Sequence, residues 1–306
     1  MSRANVTKAA KPGGRSATMR LSDGRLLGFT EWGDPHGTPV LEFRGLPSSS
    51  LGDAIDPGFL LGQRIRRITV DRPGTGTSDY LLGRRLLDWP DDVIELADAL
   101  GIGRFTVLGT SGGGPYAAAC GFRFPGRVPR VALVSGLGPL DLPGAGEGMN
   151  TGELRTMLLA RRRPALARAL VGFAVAAERI WPGVLIRGLA RAMPECDRAV
   201  MARPEVRASL MDSYQRAFAQ GTRGQVHDWG IIATPWGFRP EQITTEVHLW
   251  QGDQDDRVPP HHAKHMAHAI PGSRLTMLRG EGHMIAFTCI EQALAQLTAG
   301  QAARQS

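Results

Sequence analysis

Between Phe105 and Cys120 the chain passes from a β-branched, apolar run through Gly109-Thr110-Ser111-Gly112-Gly113 into an alanine-rich, helix-favouring stretch. A strand that must become a helix within so few residues has few turn geometries open to it. In such a turn a Cβ two residues before or after the serine would clash with the other element, so glycine is required on both sides. Glycines 109 and 113 meet that demand. The serine hydroxyl is then held out at the end of a sheet, with the Gly112 N–H beside it at a helix N-terminus, which is the arrangement of a nucleophile elbow. Gly-x-Ser-x-Gly also arises by chance in a chain with 39 glycines. The flanking strand and helix, and the partners found downstream, set this copy apart.

The length of 306 residues, with 42% hydrophobic and 21% charged, suits one large α/β domain that carries an insertion. The longest apolar stretch, Ala169 to Ala177, is bounded by Arg168 and Glu178 and falls short of a membrane span. Met1 to Arg20 is basic, small and polar, with no hydrophobic segment of signal-peptide type, so the expected compartment is the cytoplasm. Cys120, Cys196 and Cys289 are odd in number and far apart, which argues against a disulfide framework or a zinc site. A net charge of +7 raises the question of nucleic acid. The arginines are scattered and no nucleic-acid motif accompanies them, which argues against that partner. A basic surface suits an anionic substrate or a membrane surface as well.

In chain order, residues 1–16 read as a disordered basic tail. Met19 to Leu21 and Leu26 to Trp32 flank Ser22-Asp23-Gly24-Arg25 and read as a hairpin. Pro39 to Phe43 is the next strand, followed by the loop Arg44-Gly45-Leu46-Pro47-Ser48, and Arg67 to Asp71 is another, followed by Arg72-Pro73-Gly74-Thr75-Gly76-Thr77-Ser78-Asp79. Val93 to Leu100 has helical spacing, with Asp91 and Asp92 at its start as dipole-compensating residues. Arg130 to Ser135 is one more strand. This alternation implies a mostly parallel sheet covered on both faces. The pattern breaks over 142–240, which is helical without a convincing strand. It resumes with strands at Val247 to Trp250 and Arg274 to Met277 and helices at His262 to Ala269 and Glu291 to Leu297. The expected division is therefore a core of 17–141 and 241–306 with an inserted helical cap, or lid, of 142–240.

A serine is a poor nucleophile at neutral pH unless a histidine base and an orienting carboxylate accompany it. Gly252-Asp253-Gln254-Asp255-Asp256-Arg257-Val258-Pro259 follows one late strand and Gly280-Glu281-Gly282-His283 the next. His283 is the expected base. Asp253, Asp255 and Asp256 compete for the acid.

With these motifs in the order Ser, Asp, His, the sequence resembles the cofactor-independent α/β-hydrolases over about residues 20–137 and 245–295. The resemblance implies that Ser111 is the nucleophile, that Asp255 is the acid of a Gly-x-x-Asp-x-x-Val-Pro pattern and that His283 is the base of Gly-x-Gly-His. It implies that Arg72 to Asp79 shapes the site without reacting. It also implies an oxyanion hole from the N–H groups of Leu46 and Gly112, and no metal or organic cofactor. Arg44 departs from the family's His-Gly-x-Pro loop; bracing of that loop, through a carboxylate or backbone carbonyls, is its expected role, with a contact to an anionic group of the substrate as the alternative. Serine at 111 argues against the dehalogenases and epoxide hydrolases of this fold, which carry aspartate there, and Gly112 argues against the proline iminopeptidases.

The expected activity is hydrolysis of an apolar ester, thioester or lactone through an acyl-enzyme. Carbon–carbon bond hydrolysis, perhydrolysis or acyl transfer on the same residues is the enzymatic alternative, and a ligand-binding signalling protein without turnover is the alternative of another class. His261, His262, His265 and His268 lie at helical spacing, but no carboxylate or cysteine completes a metal set, so they read as an exposed helix face. The arginines of Glu153 to Arg191 read as a solvated face, with a membrane surface or an acidic substrate as the competing reading. Trp181, Trp229, Trp236 and Phe238 read either as core or as the lining of a pocket under the cap.

Overall fold

A single sheet of nine strands runs through the residues that the computed structural model describes, which are 9–11, 14–50, 55–181, 183, 188 and 191–299. The strands are β1 (Ala9–Lys11), β2 (Gly14–Arg20), β3 (Leu26–Gly33), β4 (Thr38–Phe43), β5 (Ile65–Val70), β6 (Thr106–Thr110), β7 (Arg130–Val134), β8 (Glu246–Gly252) and β9 (Arg274–Leu278). Their spatial order is β1-β2-β3-β5-β4-β6-β7-β8-β9. The first three and β5 pair antiparallel, and every pair from β5 to β9 is parallel. β2 and β3 form the expected hairpin, closed by Leu21 N–H donating to the Arg25 carbonyl at 2.8 Å while Gly24 takes a φ of 90°.

One expectation is corrected at the N-terminus. Residues 9–11 and 14–16 belong to the sheet, with Ala9 opposite Ser16 and Lys11 opposite Gly14. Charge and small side chains suggested disorder for residues 1–16. An edge strand, however, is held by backbone hydrogen bonds that any residue but proline can make. Residues 1–8 lie outside the described residues.

Period-two side-chain alternation divides the core between the two faces of the sheet. Leu41, Val107, Val131, Leu133 and Leu249 face a cluster that includes Leu96, Tyr116, Ala117 and Met266. Val40, Leu108, Ala132, Val134 and Trp250 face Leu60, Ile285, Leu294 and Leu297. β4 is covered on both sides and buried at every position, and its one charge, Glu42, is paired with buried Arg67. Asp92, in the first turn of the helix Trp89–Ala99, holds the Arg25 guanidinium at 2.6 and 3.0 Å. The free thiols of Cys120 and Cys289 are buried.

Between β7 and β8 the chain leaves the sheet. The described part of 142–240 holds helices at Thr151–Arg162, Pro164–Ile180, Glu195–Met201, Pro204–Ala217 and Arg223–Ile232, and no strand. β7 and β8 are nevertheless parallel neighbours, so the helical segment is inserted between two adjacent strands of the sheet.

Candidate active site

Ser111 sits in the turn between β6 and the helix Gly114–Arg123 with a φ of 52°, a left-handed conformation that costs an L-residue about 1 to 2 kcal/mol. The flanking glycines explain why the turn cannot relax. A Cβ on Gly109 would lie 2.7 Å from both Ala117 Cβ and the Gly113 carbonyl, and a Cβ on Gly113 would strike the Phe43 carbonyl oxygen. The serine is buried, at the floor of a cavity of about 210 Å³ whose wall includes Leu46, Met193, Leu210, Met284 and Phe287.

His283 reaches this serine from the loop after β9. Its Nε2 lies 3.0 Å from Ser111 Oγ, and its Nδ1 lies 2.9 and 3.0 Å from the two oxygens of Asp255. Asp255 is itself fixed, since Oδ1 accepts from the N–H groups of Arg257 and Val258 at 3.0 and 2.9 Å and Oδ2 from Gln251 Nε2 at 2.9 Å. Of the three aspartates, it is Asp255 whose carboxylate meets the His283 ring. Asp253 is exposed and accepts from the Gly280 N–H at 2.8 Å, and half-buried Asp256 contributes its carbonyl to the Asn150 N–H. Burial would raise the Asp255 carboxyl, but the His283 ring and the hydrogen bonds it accepts outweigh that and leave it lowered. Burial would likewise lower His283, and the Asp255 charge overrides it, so the imidazole is raised above its ordinary value. A carboxylate accepting from Nδ1–H presents the unprotonated Nε2 to the serine, the tautomer a general base needs.

Leu46 and Gly112 adjoin at the same place. A Cβ on Gly112 would lie 3.0 Å from Leu46 Cγ, and a Cβ on Gly45 would lie 3.1 Å from Ser111 Cβ. The loop is held from behind by Arg72, whose Nη1 and Nη2 donate to the carbonyls of Arg44 and Gly45 at 2.7 and 3.3 Å. A planar trans peptide sets N–H and C=O in opposite directions, so turning the Gly45 carbonyl onto Arg72 turns the Leu46 N–H away from it. Arg72 is thus a brace of this loop. Arg44 lines the cavity beside Ser111, where burial pushes its guanidinium down and Glu42, Asp71 and Asp212 oppose the shift.

Two groups from the helical insertion escape sequence reasoning. Asp197, buried on the helix Glu195–Met201, accepts from the backbone N–H of His283 at 3.0 Å and of Met284 at 2.8 Å. A Cβ on Gly282 would run into its carboxylate, so that glycine is the trace the contact leaves in the sequence. Asp228, on Arg223–Ile232, takes Arg72 Nε at 2.9 Å, Tyr116 Oη at 2.6 Å and Arg84 Nη2. With three donors around it the carboxyl is lowered although burial alone would raise it.

Other candidates fall elsewhere. Trp229, Trp236 and Phe238 are core residues and Trp181 is exposed, and none of the four lines the cavity above Ser111. Of the four helical histidines, His262 is buried rather than exposed. It accepts from the Gly138 N–H at 3.2 Å, and burial first, then neighbouring histidines, push it down to about 4. Among the described residues no group of three or more His, Cys, Asp or Glu is placed to hold a metal ion.

The model of the alpha/beta hydrolase family matches residues 36–297. The chain is 34% identical over 125 residues to a non-heme chloroperoxidase of Streptomyces lividans, covering 40% of this chain and 45% of that one. It is 31% identical over 238 residues to an uncharacterized protein of Mycobacterium tuberculosis, covering 73% of this chain and 63% of that one. It thus spans less than two thirds of the length of these relatives. A hydrolase from Pseudomonas aeruginosa has a similar fold, with a TM-score of 0.68 at 18% identity over 93% of this chain and 98% of that one.

Proposed function

The chain belongs to the alpha/beta hydrolase family, and we propose that it cleaves a carboxylic ester of substantially apolar character through an acyl-enzyme on Ser111. The observation that carries this reading is the unbroken hydrogen-bonded series from Asp255 through His283 to Ser111 Oγ at the floor of an apolar-walled cavity. His283 Nε2 takes the hydroxyl proton as Oγ attacks the ester carbonyl, and Asp255 stabilises the imidazolium that results. The N–H groups of Gly112 and Leu46 hold the oxyanion, each worth about 3 kcal/mol to the transition state. Collapse expels the alcohol, which takes the proton from His283. Water, deprotonated by His283, then releases the carboxylic acid and restores the serine. The insertion of 142–240 acts as a cap, because it supplies Met193, Met201 and Leu210 to the cavity wall.

A chain-length series of aryl esters tests the proposal. Turnover that rises with acyl length up to the capacity of the cavity, together with labelling by a fluorophosphonate that disappears in Ser111→Ala, is the expected result. Labelling that persists in the alanine variant would place the nucleophile elsewhere. The name of the Streptomyces relative motivates one second reading, in which hydrogen peroxide replaces water at the acyl-enzyme and yields a peracid and free serine. Peracid assayed in the presence of acetate and peroxide, against ester turnover at equal enzyme, separates the two.

A further inference from the structure

The helix Pro164–Ile180 is apolar on two sides and buried on only one. Ala167 and Val175 turn inward. Leu166, Leu170, Phe173 and Ile180 are instead between 51% and 77% exposed, as is Trp181 just beyond the helix. At about 100° per residue the four helical side chains fall within about 80° of arc, so they form one stripe rather than scattered exceptions. From that stripe the exposed surface continues over Ala165, Ala169 and Ala176 to Arg168 and Arg179, and exposed Arg162 and Arg163 stand at its N-terminal end. The helix's one acidic residue, Glu178, is buried. Every exposed charge of this helix is therefore an arginine.

We infer that this helix face and Trp181 seat the protein on an anionic lipid surface, the helix lying in the interface with its stripe among the acyl chains and its arginines at the headgroups. The combination of a large apolar stripe with a purely cationic border is what such a surface recognises. Arginine stems are long enough to lie along the apolar boundary while the guanidinium stays at the phosphates. A second copy of the chain fits less well, since pairing two such faces would bring arginines together without a carboxylate between them. The helix lies on the membrane rather than through it: among the described residues no helix is long and apolar enough to cross. The inference does not depend on the ester reading.

Full-length protein is to be sedimented with phosphatidylcholine vesicles and with vesicles of equal phosphatidylcholine and phosphatidylglycerol, at low and at high salt. The chain has six tryptophans, and Trp32, Trp89, Trp229, Trp236 and Trp250 are buried. Contact quenching by brominated lipid therefore reports on Trp181. Expected are salt-sensitive pelleting with the anionic vesicles, quenching, and a loss of partitioning of at least about tenfold in Leu170→Gln/Phe173→Gln and about tenfold in Arg168→Gln/Arg179→Gln. Turnover of a water-soluble aryl ester and the thermal midpoint stay unchanged in both variants. Three results would each overturn the inference: no pelleting with either vesicle, pelleting insensitive to the apolar pair, or lipid-independent self-association that the apolar pair abolishes.

Discussion

The site is built from two halves that differ in how they are held. Ser111, Asp255 and His283 follow β6, β8 and β9 in glycine-bearing turns, and the Asp255 carboxylate is held by N–H groups of its own loop. Asp197 and Asp228 come from helices of the insertion and act across long sequence separations, 86 residues from Asp197 to His283 and 156 from Arg72 to Asp228. The sheet half therefore carries the groups of the proposed mechanism. The inserted half adjusts where those groups sit, as a buried carboxylate can do only once the two halves are docked.

Substitutions should separate the halves by size of effect. Asp255→Asn is expected to lower kcat by about 10⁴-fold, as loss of the correct histidine tautomer does in such triads, while Asp253→Asn and Asp256→Asn stay within a few-fold. Equal losses from all three in steady-state kinetics would mean that the loop, and not one carboxylate, is what matters.

Asp197→Ala comes next. Releasing the His283–Met284 backbone should cost about 10- to 100-fold in kcat, with KM nearly constant, because a misplacement of about 1 Å suffices for such a loss. The rate of fluorophosphonate labelling should fall in parallel. If KM rises and labelling is unchanged, Asp197 belongs to the cap's stability alone and the contrast between the halves disappears.

A smaller effect is expected at Arg44, which lines the cavity while Arg72 braces the loop. Arg44→Gln should raise KM for a carboxylate-bearing ester by about threefold and leave a matched neutral ester unaffected. A matched loss on both esters would return Arg44 to a bracing role.

The finest distinction is in the pH profile. A histidine base acts only when neutral and the His283 pKa is raised, so under the proposed mechanism the acidic limb of kcat/KM should lie above the ordinary histidine value. The residual activity of Asp255→Asn should have its limb at lower pH, since the charge that raised the imidazole is gone; a limb that does not move would deny the coupling. In stability the signs are opposite. The raised His283 contributes below its unfolded pKa and loses that contribution as pH rises through the folded one. The lowered Asp255 contributes above its unfolded pKa and loses that as pH falls through the folded one.

The elbow, the order of the strands' motifs and the histidine loop were legible because each is a local constraint. Glycine at 109 and 113 answers a clash within one turn, and alternating apolar runs answer one sheet. Which of Asp253, Asp255 and Asp256 faces His283 needed the resemblance to a family, because three carboxylates in one loop have the same composition whichever one turns inward. Arg72 was read only as part of a shaped loop, although its guanidinium reaches the carbonyls of Arg44 and Gly45.

By itself, then, the sequence determined the α/β architecture, the serine in its strained turn and the histidine that follows the last strand, since these depend on neighbours within a few residues. The tertiary structure alone decided that residues 9–11 extend the sheet, that Asp197 grips the histidine loop, that Asp228 ties the insertion to Arg72, and that one helix keeps an apolar stripe in solvent. Those depend on which distant surfaces meet. Burial energy is gained only when some distant surface takes a side chain out of water, and a pattern of residues along the chain does not name that surface.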